Sequence, residues 1–152
     1  MRSSRVVAGA VVAVACVLVC SAAWAQTEEK ELKAVEAAKA WLALVDAGRN
    51  LESWDAAAAF FRSGVARDKW DARLANGRLP LGRVISRTLA MKKYSTEMEF
   101  APKGEYVTIM FTTVFENMPK GKKGKAVETI TPQLQRDGSW RVCGYNIKLP
   151  EK

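Results

Sequence analysis

The order of hydrophobic and polar positions changes character three times along the chain. Val6 to Val19 is a continuous run of Ala, Val, Leu and Cys with one glycine. From Thr27 onward, apolar residues recur at helical spacing: Leu32, Val35, Ala38, Leu42 and Val45, with Trp41 widening the stripe. Thr27 is the expected N-cap, Glu28, Glu29 and Glu31 suit the positive end of a helix, and Gly48 is the expected stop. The spacing predicts a second short helix over Glu52 to Phe61, presenting Trp54, Ala58 and Phe61 and broken by Ser63-Gly64. A third is expected from Arg67 to Arg78, with Trp70 and Leu74 on one face and Pro80 beyond its end.

From Val84 the period becomes two. Val84 to Met98 holds one or two strand segments, and Gly104 to Phe115 is the clearest strand. In it Val107, Ile109, Phe111 and Phe115 alternate with Tyr106, Thr108, Met110 and Thr112, and two apolar faces predict a central place in a sheet. Ala126 to Gln135 reads as a strand whose Pro132 marks an edge or a bulge. Asp137-Gly138 is a tight-turn signal leading into a last strand over Trp140 to Lys148. Helices followed by sequential antiparallel strands make an α+β domain. The simplest packing curls the sheet around the helices as a cone, with Trp41, Trp54, Phe61 and Trp70 between the layers.

The first 25 residues fit a cleavable signal peptide: Arg2 and Arg5, the apolar run, then Ala23-Trp24-Ala25 before Gln26. A retained anchor needs about 20 strongly apolar residues, and this stretch is largely Ala. Lipidation is disfavoured because Val19 is too bulky before Cys20 and the residues ahead of Cys16 lack the usual leucine. The expected division is therefore a signal peptide over 1–25 and one domain over 26–152, in the periplasm or secreted. Removing 1–25 leaves 22 Lys+Arg against 16 Asp+Glu, a net charge of +6, which favours solubility and anion attraction. It also leaves Cys143 as the one cysteine, so no internal disulfide can form, and a buried thiol is expected.

The chain contains no histidine, which removes Ser-His and Cys-His nucleophile pairs and, with one cysteine, ordinary zinc or copper sites. Gly124-Lys125 is followed by Ala126, so the lysine-rich segment is not a phosphate-binding loop. No cofactor is implied. The tryptophans lack an RNA-binding aromatic motif, and nucleic acid is not an expected partner.

What remains is a set of polar residues on apolar strand faces. Glu128 is in register with Ile130, Tyr145 with Cys143 and Ile147, and Arg87 with Ile85 and Leu89. Together with Tyr106 they are the candidate ligand-binding residues. They either line a ligand site or form an internal Arg87–Glu128 ion pair beside a core tyrosine, and burial of unpaired charge is rare enough to favour the second. Asp46 and Asp55 follow apolar helical residues and either face the cone mouth or lie exposed, Asp46 near a helix C-terminus and Asp55 on ordinary helix surface, the second being favoured. Lys120, Lys122, Lys123 and Lys125 form a basic loop suited either to solvent or to weak contact with an anionic surface. Three functions compete: non-enzymatic binding of a small ligand or envelope protein, acid–base catalysis by carboxylate and tyrosine in the same pocket, and an interaction module built on the lysine loop.

Several ordered segments resemble an exported bacterial family catalogued as domain of unknown function 4019. They are Ala40-Trp41-Leu42-x-Leu44-Val45-Asp46-Ala47-Gly48, Ser53-Trp54-Asp55, Pro80-Leu81-Gly82, Gly104-Glu105-Tyr106-Val107, Glu128-Thr129-Ile130-Thr131 and Gly138-Ser139-Trp140-Arg141-Val142-x-Gly144-Tyr145. The resemblance covers about Ala34 to Lys148. It implies the cone-shaped α+β fold of the nuclear-transport-factor-two and ketosteroid-isomerase superfamily and carries over no catalytic residues. The Lys120–Lys125 segment is longer and more basic than the family pattern, which leaves its role open.

Overall fold

The computed structural model describes the backbone of residues 7–118 and 124–150, with side chains from residue 23 onward within them. Helix α1 runs from Val7 to Asp46, followed by short helices α2 (Asn50–Asp55) and α3 (Ala59–Gly64), α4 (Arg67–Gly77) and a 3-10 turn at Leu79–Leu81. Strands β1 (Val84–Ser95), β2 (Tyr106–Phe115), β3 (Ala126–Leu134) and β4 (Trp140–Lys148) form one antiparallel sheet in the order β1-β2-β3-β4. The architecture is α+β, with four helices and a four-stranded antiparallel sheet.

The apolar stripe of α1 (Ala34, Val35, Ala38, Trp41, Leu42 and Val45) packs with Val107, Ile109 and Phe111 of β2, Ile130 of β3, and Val142 and Tyr145 of β4. Phe61, Trp70 and Leu74 close the same core from α3 and α4, and Trp54 packs against it partly buried. The indole N–H groups of Trp41, Trp54 and Trp70 are satisfied. Trp41 donates to the Ser53 carbonyl at 2.7 Å, Trp70 to Ser53 Oγ at 2.9 Å, and Trp54 to the Val65 carbonyl at 2.7 Å. These tryptophans are core residues anchored by their one donor, as a buried indole requires.

Three expectations change, and one of two alternatives is selected. Thr27 is not an N-cap: α1 is continuous through it, and its hydroxyl donates back to the Ala23 carbonyl at 3.1 Å. The segment Glu52 to Phe61 is not one helix but two, because the chain opens at Ala56–Ala58 and the Ala58 N–H donates to the Val142 carbonyl of β4 at 2.8 Å. A bond to the strand's carbonyl there takes the place of a helical one. Of the two alternatives for Pro132 the structure takes the bulge: β3 lies between β2 and β4, and the proline sits at a register shift after Thr131. Cys143 is partly buried, not fully buried. Two glycines carry conformations other residues avoid. Gly138 (φ 80) closes the β3–β4 hairpin, and Gly82 (φ 77, ψ −157) turns the chain from the 3-10 segment into β1.

Candidate functional site

Each long element delivers one polar side chain to a single point beneath the helices. Asp46 is the last residue of α1, Arg78 caps the C-terminus of α4, and Arg87, Thr113, Glu128 and Tyr145 come one each from β1 to β4. The strand register explains the convergence. Arg87 lies opposite Thr113 across the β1–β2 pair, Glu128 opposite Phe111, and Tyr145 opposite Ile130, so all four project to the core side.

Glu128, fully buried, is the centre. Its Oε2 accepts from Arg87 Nε at 2.7 Å and Thr113 Oγ1 at 2.5 Å. Its Oε1 accepts from Tyr145 Oη at 2.7 Å and Arg87 Nη2 at 3.2 Å. Arg87 turns its outer edge to Asp46, with Nη1 2.6 Å from Oδ2 and Nη2 3.1 Å from Oδ1. Arg78 completes the chain by donating Nη2 to Asp46 Oδ1 at 2.8 Å and Nη1 to the Gly82 carbonyl at 2.9 Å, with its guanidinium 4.4 Å above the Phe115 ring. Two carboxylates and two guanidiniums make a neutral quartet. Such an arrangement removes the cost of isolated buried charge.

The local electrostatics follow. Burial penalises the Asp46 carboxylate, but Arg87 and Arg78 more than offset it and hold its pKa below the usual value. Burial likewise opposes the charge on Arg87, and Asp46 and Glu128 outweigh it, so that guanidinium is held still more firmly protonated. Burial, reinforced by the Glu128 carboxylate, pushes the Tyr145 hydroxyl well above its ordinary range. Tyr145 is thus a donor locked onto Glu128.

Arg87, Glu128 and Tyr145 therefore meet, as their positions in the strands imply, although not for the full reason. Ile85 does not share a face with Arg87: a register shift between Val84 and Ser86 bulges it outward, and Ile85 is 62% exposed. Tyr106 is not part of the cluster. It has the opposite phase to Val107, donates its hydroxyl to the Pro102 carbonyl, and accepts from Gln133 Nε2 at 3.1 Å. Lys125 is exposed, whereas Lys120, Lys122 and Lys123 lie outside the described residues.

Sequence reasoning singled out neither Arg78 nor Thr113, and Asp46, weighed as facing the cone mouth or solvent, is an exposed residue whose carboxylate still reaches the cluster. The signal was present in each case. Asp46 falls four residues after Leu42, Arg78 four after Leu74 and eight after Trp70, and Thr113 continues the alternation of Ile109 and Phe111. All three occupy phases that the apolar pattern reserves for the core.

Beside the quartet lies a pocket of about 140 Å³ between α4 and the end of β4, walled by Trp70, Leu74 and Ile147 and also lined by Arg73, Arg78 and Tyr145. Arg73 is exposed and has no carboxylate partner among the described residues. Among the described residues no group of three His, Cys, Asp or Glu side chains is placed to hold a metal ion. Nor, among them, is any helix long and apolar enough to cross a membrane.

The profile of a protein family described as a protein of unknown function (DUF4019) matches residues 37–145. That span includes the whole quartet and the pocket's lining on α4 together with Tyr145, stopping just short of Ile147, and the chain belongs to this family. No curated protein and no solved structure matches the chain.

Proposed function

We propose that this member of a family of unknown function is an exported, non-enzymatic binding domain that holds a small ligand in the pocket between α4 and β4. The carrying observation is the saturation of Glu128: four donors occupy its two oxygens, leaving no free lone pair directed at a substrate. Acid–base catalysis at this point would first have to break the pair with Arg87. The adjoining pocket keeps what a binding site needs, apolar walls and an unpaired cation, on a scaffold fixed by the quartet. In this reading the sheet and helices form the cone of the nuclear-transport-factor-two-like folds, with the quartet plugging its depth.

Export is part of the proposal. Among the described residues of α1, Ala23 to Gln26 are exposed and Trp24 is 80% exposed. Contacts with the sheet begin at Glu28, which reaches Lys92, and Glu31, which accepts the Tyr94 N–H at 2.8 Å. A cut after Ala25 therefore removes the Thr27 hydroxyl's bond to the Ala23 carbonyl but no contact to the sheet from the described side chains.

Native mass spectrometry of the protein purified from its own envelope tests the binding function. A co-purifying small mass is expected, lost in Gly77→Leu, because Gly77 lines the pocket and a Cβ placed there meets nothing within 4 Å. A single mass equal to the bare chain in both proteins would refute the binding role.

A further inference from the structure

A second concave surface lies at the opposite end of the strands, where α3, the β1–β2 loop and the β3–β4 hairpin come together. It is an open cleft of about 530 Å³. Four cations line it, Arg62, Lys103, Arg136 and Arg141, against the single carboxylate of Asp137. That carboxylate is already taken by Arg141 at 3.1 Å and by Ser139. Arg62 lies over the Trp54 ring, 5.8 Å from its centre. Lys103 and Arg136 are exposed and have no acidic partner among the described residues.

Phe60, Pro102 and Leu134 supply apolar surface within the same cleft. Its wall is held in place before any partner arrives. Tyr106 donates to the Pro102 carbonyl and is itself held by Gln133, and the Leu134 N–H donates to the Glu105 carbonyl at 2.9 Å. Two residues before Pro102, Phe100 is 94% exposed and sits at φ 60, a conformation uncommon for a bulky side chain. The loop that builds the wall thus also presents a bare aromatic ring, the residue type enriched at protein interfaces.

We propose that this cleft docks an acidic peptide segment of a partner protein, one carrying Glu or Asp next to an apolar residue. The excess of cations fixes the sign of the partner, and the apolar surface of Phe60 and Leu134 fixes its amphipathic character. Concavity favours a peptide over a lipid surface, because a flat bilayer reaches the rim of a cleft and not its floor. Tyr106 acts here as a positioning residue, which accounts for a buried tyrosine that the quartet does not use.

Fluorescence anisotropy of the purified chain with labelled peptides tests this. The probes are an alternating Glu/Leu peptide, its Gln/Leu counterpart, and a Glu/Ser counterpart. The Glu/Leu peptide is expected to bind at least tenfold more tightly than either, with affinity falling as salt screens the exposed charges. Lys103→Glu with Arg136→Glu should weaken it at least tenfold, and Phe100→Ser severalfold. All three side chains are exposed, so circular dichroism should be unchanged. Equal binding by the charge-reversed protein, equal binding of the Glu/Ser peptide, or no binding at millimolar peptide would overturn the proposal. So would binding to anionic phosphatidylglycerol vesicles with none to the peptide.

Discussion

Glu128 is fully buried, and its stability depends on Arg87 more than on any other neighbour, since Arg87 supplies two of the four donors. Truncating one partner of such a pair leaves the other charged and buried, at a cost of about 3–5 kcal/mol. Arg87→Met and Glu128→Gln are each expected to destabilise strongly, and the double variant less than their sum, because the second change removes the charge stranded by the first. Chemical denaturation of the four proteins in a double-mutant cycle measures this, and a coupling energy near zero would reject it. At Gly82 the backbone conformation is essentially restricted to glycine, and an added Cβ would lie 2.9 Å from Asn117 Nδ2 and 3.2 Å from Glu116 Cβ. Gly82→Ala should therefore cost about 1–3 kcal/mol. Gly77, in helical conformation with open space around it, should gain about 0.5–1 kcal/mol on replacement by Ala. Thermal melts of the two variants should move in opposite directions, and a shared sign would contradict the assignment.

At the scale of elements, patterns confined to one segment were readable and those set by another segment were not. The last strand begins and ends where alternation from Trp140 to Lys148 places it, and α4 follows its Trp70–Leu74 spacing. The break at Ala56–Ala58 depends on the Val142 carbonyl, over eighty residues away in sequence, and no local propensity marks it. The outward turn of Ile85 likewise depends on pairing with Phe115 and Val114 across a bulge. Half the quartet was hidden for a related reason: Asp46 and Arg78 sit at helix ends, where charged residues are commonly solvent-facing, yet Arg78 is buried and the exposed Asp46 is tied to Arg87 of the sheet. The N-terminal half of α1 gives a test at this scale. Deleting residues 1–25 should leave the melting temperature nearly unchanged, and N-terminal sequencing of the exported protein should begin at Gln26. Deleting as far as Leu32 removes Glu31 from the Tyr94 N–H and Lys30 from Glu105, and should cost about 1–3 kcal/mol. Equal melting temperatures for the two truncations would show that this stretch does not clamp the sheet.

For the whole molecule, burial of both acidic and weakly acidic groups bounds the pH range of stability on two sides. The pKa of Asp46 is lower folded than unfolded, so its contribution is complete above the unfolded value of about 4 and is lost as pH falls through the folded one. The alkaline side has the opposite sign. Burial pushes the Cys143 thiol up to about 11 from an ordinary value of 9.0, so between those values the unfolded chain releases a proton that the folded chain retains. Stability must then fall as pH rises through that window. Tyr145 acts in the same direction above its ordinary value of 10.0, because burial and Glu128 hold its hydroxyl protonated in the fold. Urea midpoints measured from pH 3 to 10.5 should thus form a plateau that declines below about pH 4 and above about pH 9. Cys143→Ala isolates the thiol: it should flatten the first part of the alkaline decline and leave the acid limb untouched. The same partial burial should slow native labelling by a thiol reagent at pH 8 relative to the unfolded chain. Superimposable wild-type and Cys143→Ala profiles between pH 9 and 10, together with equal labelling rates for native and unfolded protein, would show that Cys143 is open to solvent and that the alkaline limit arises elsewhere.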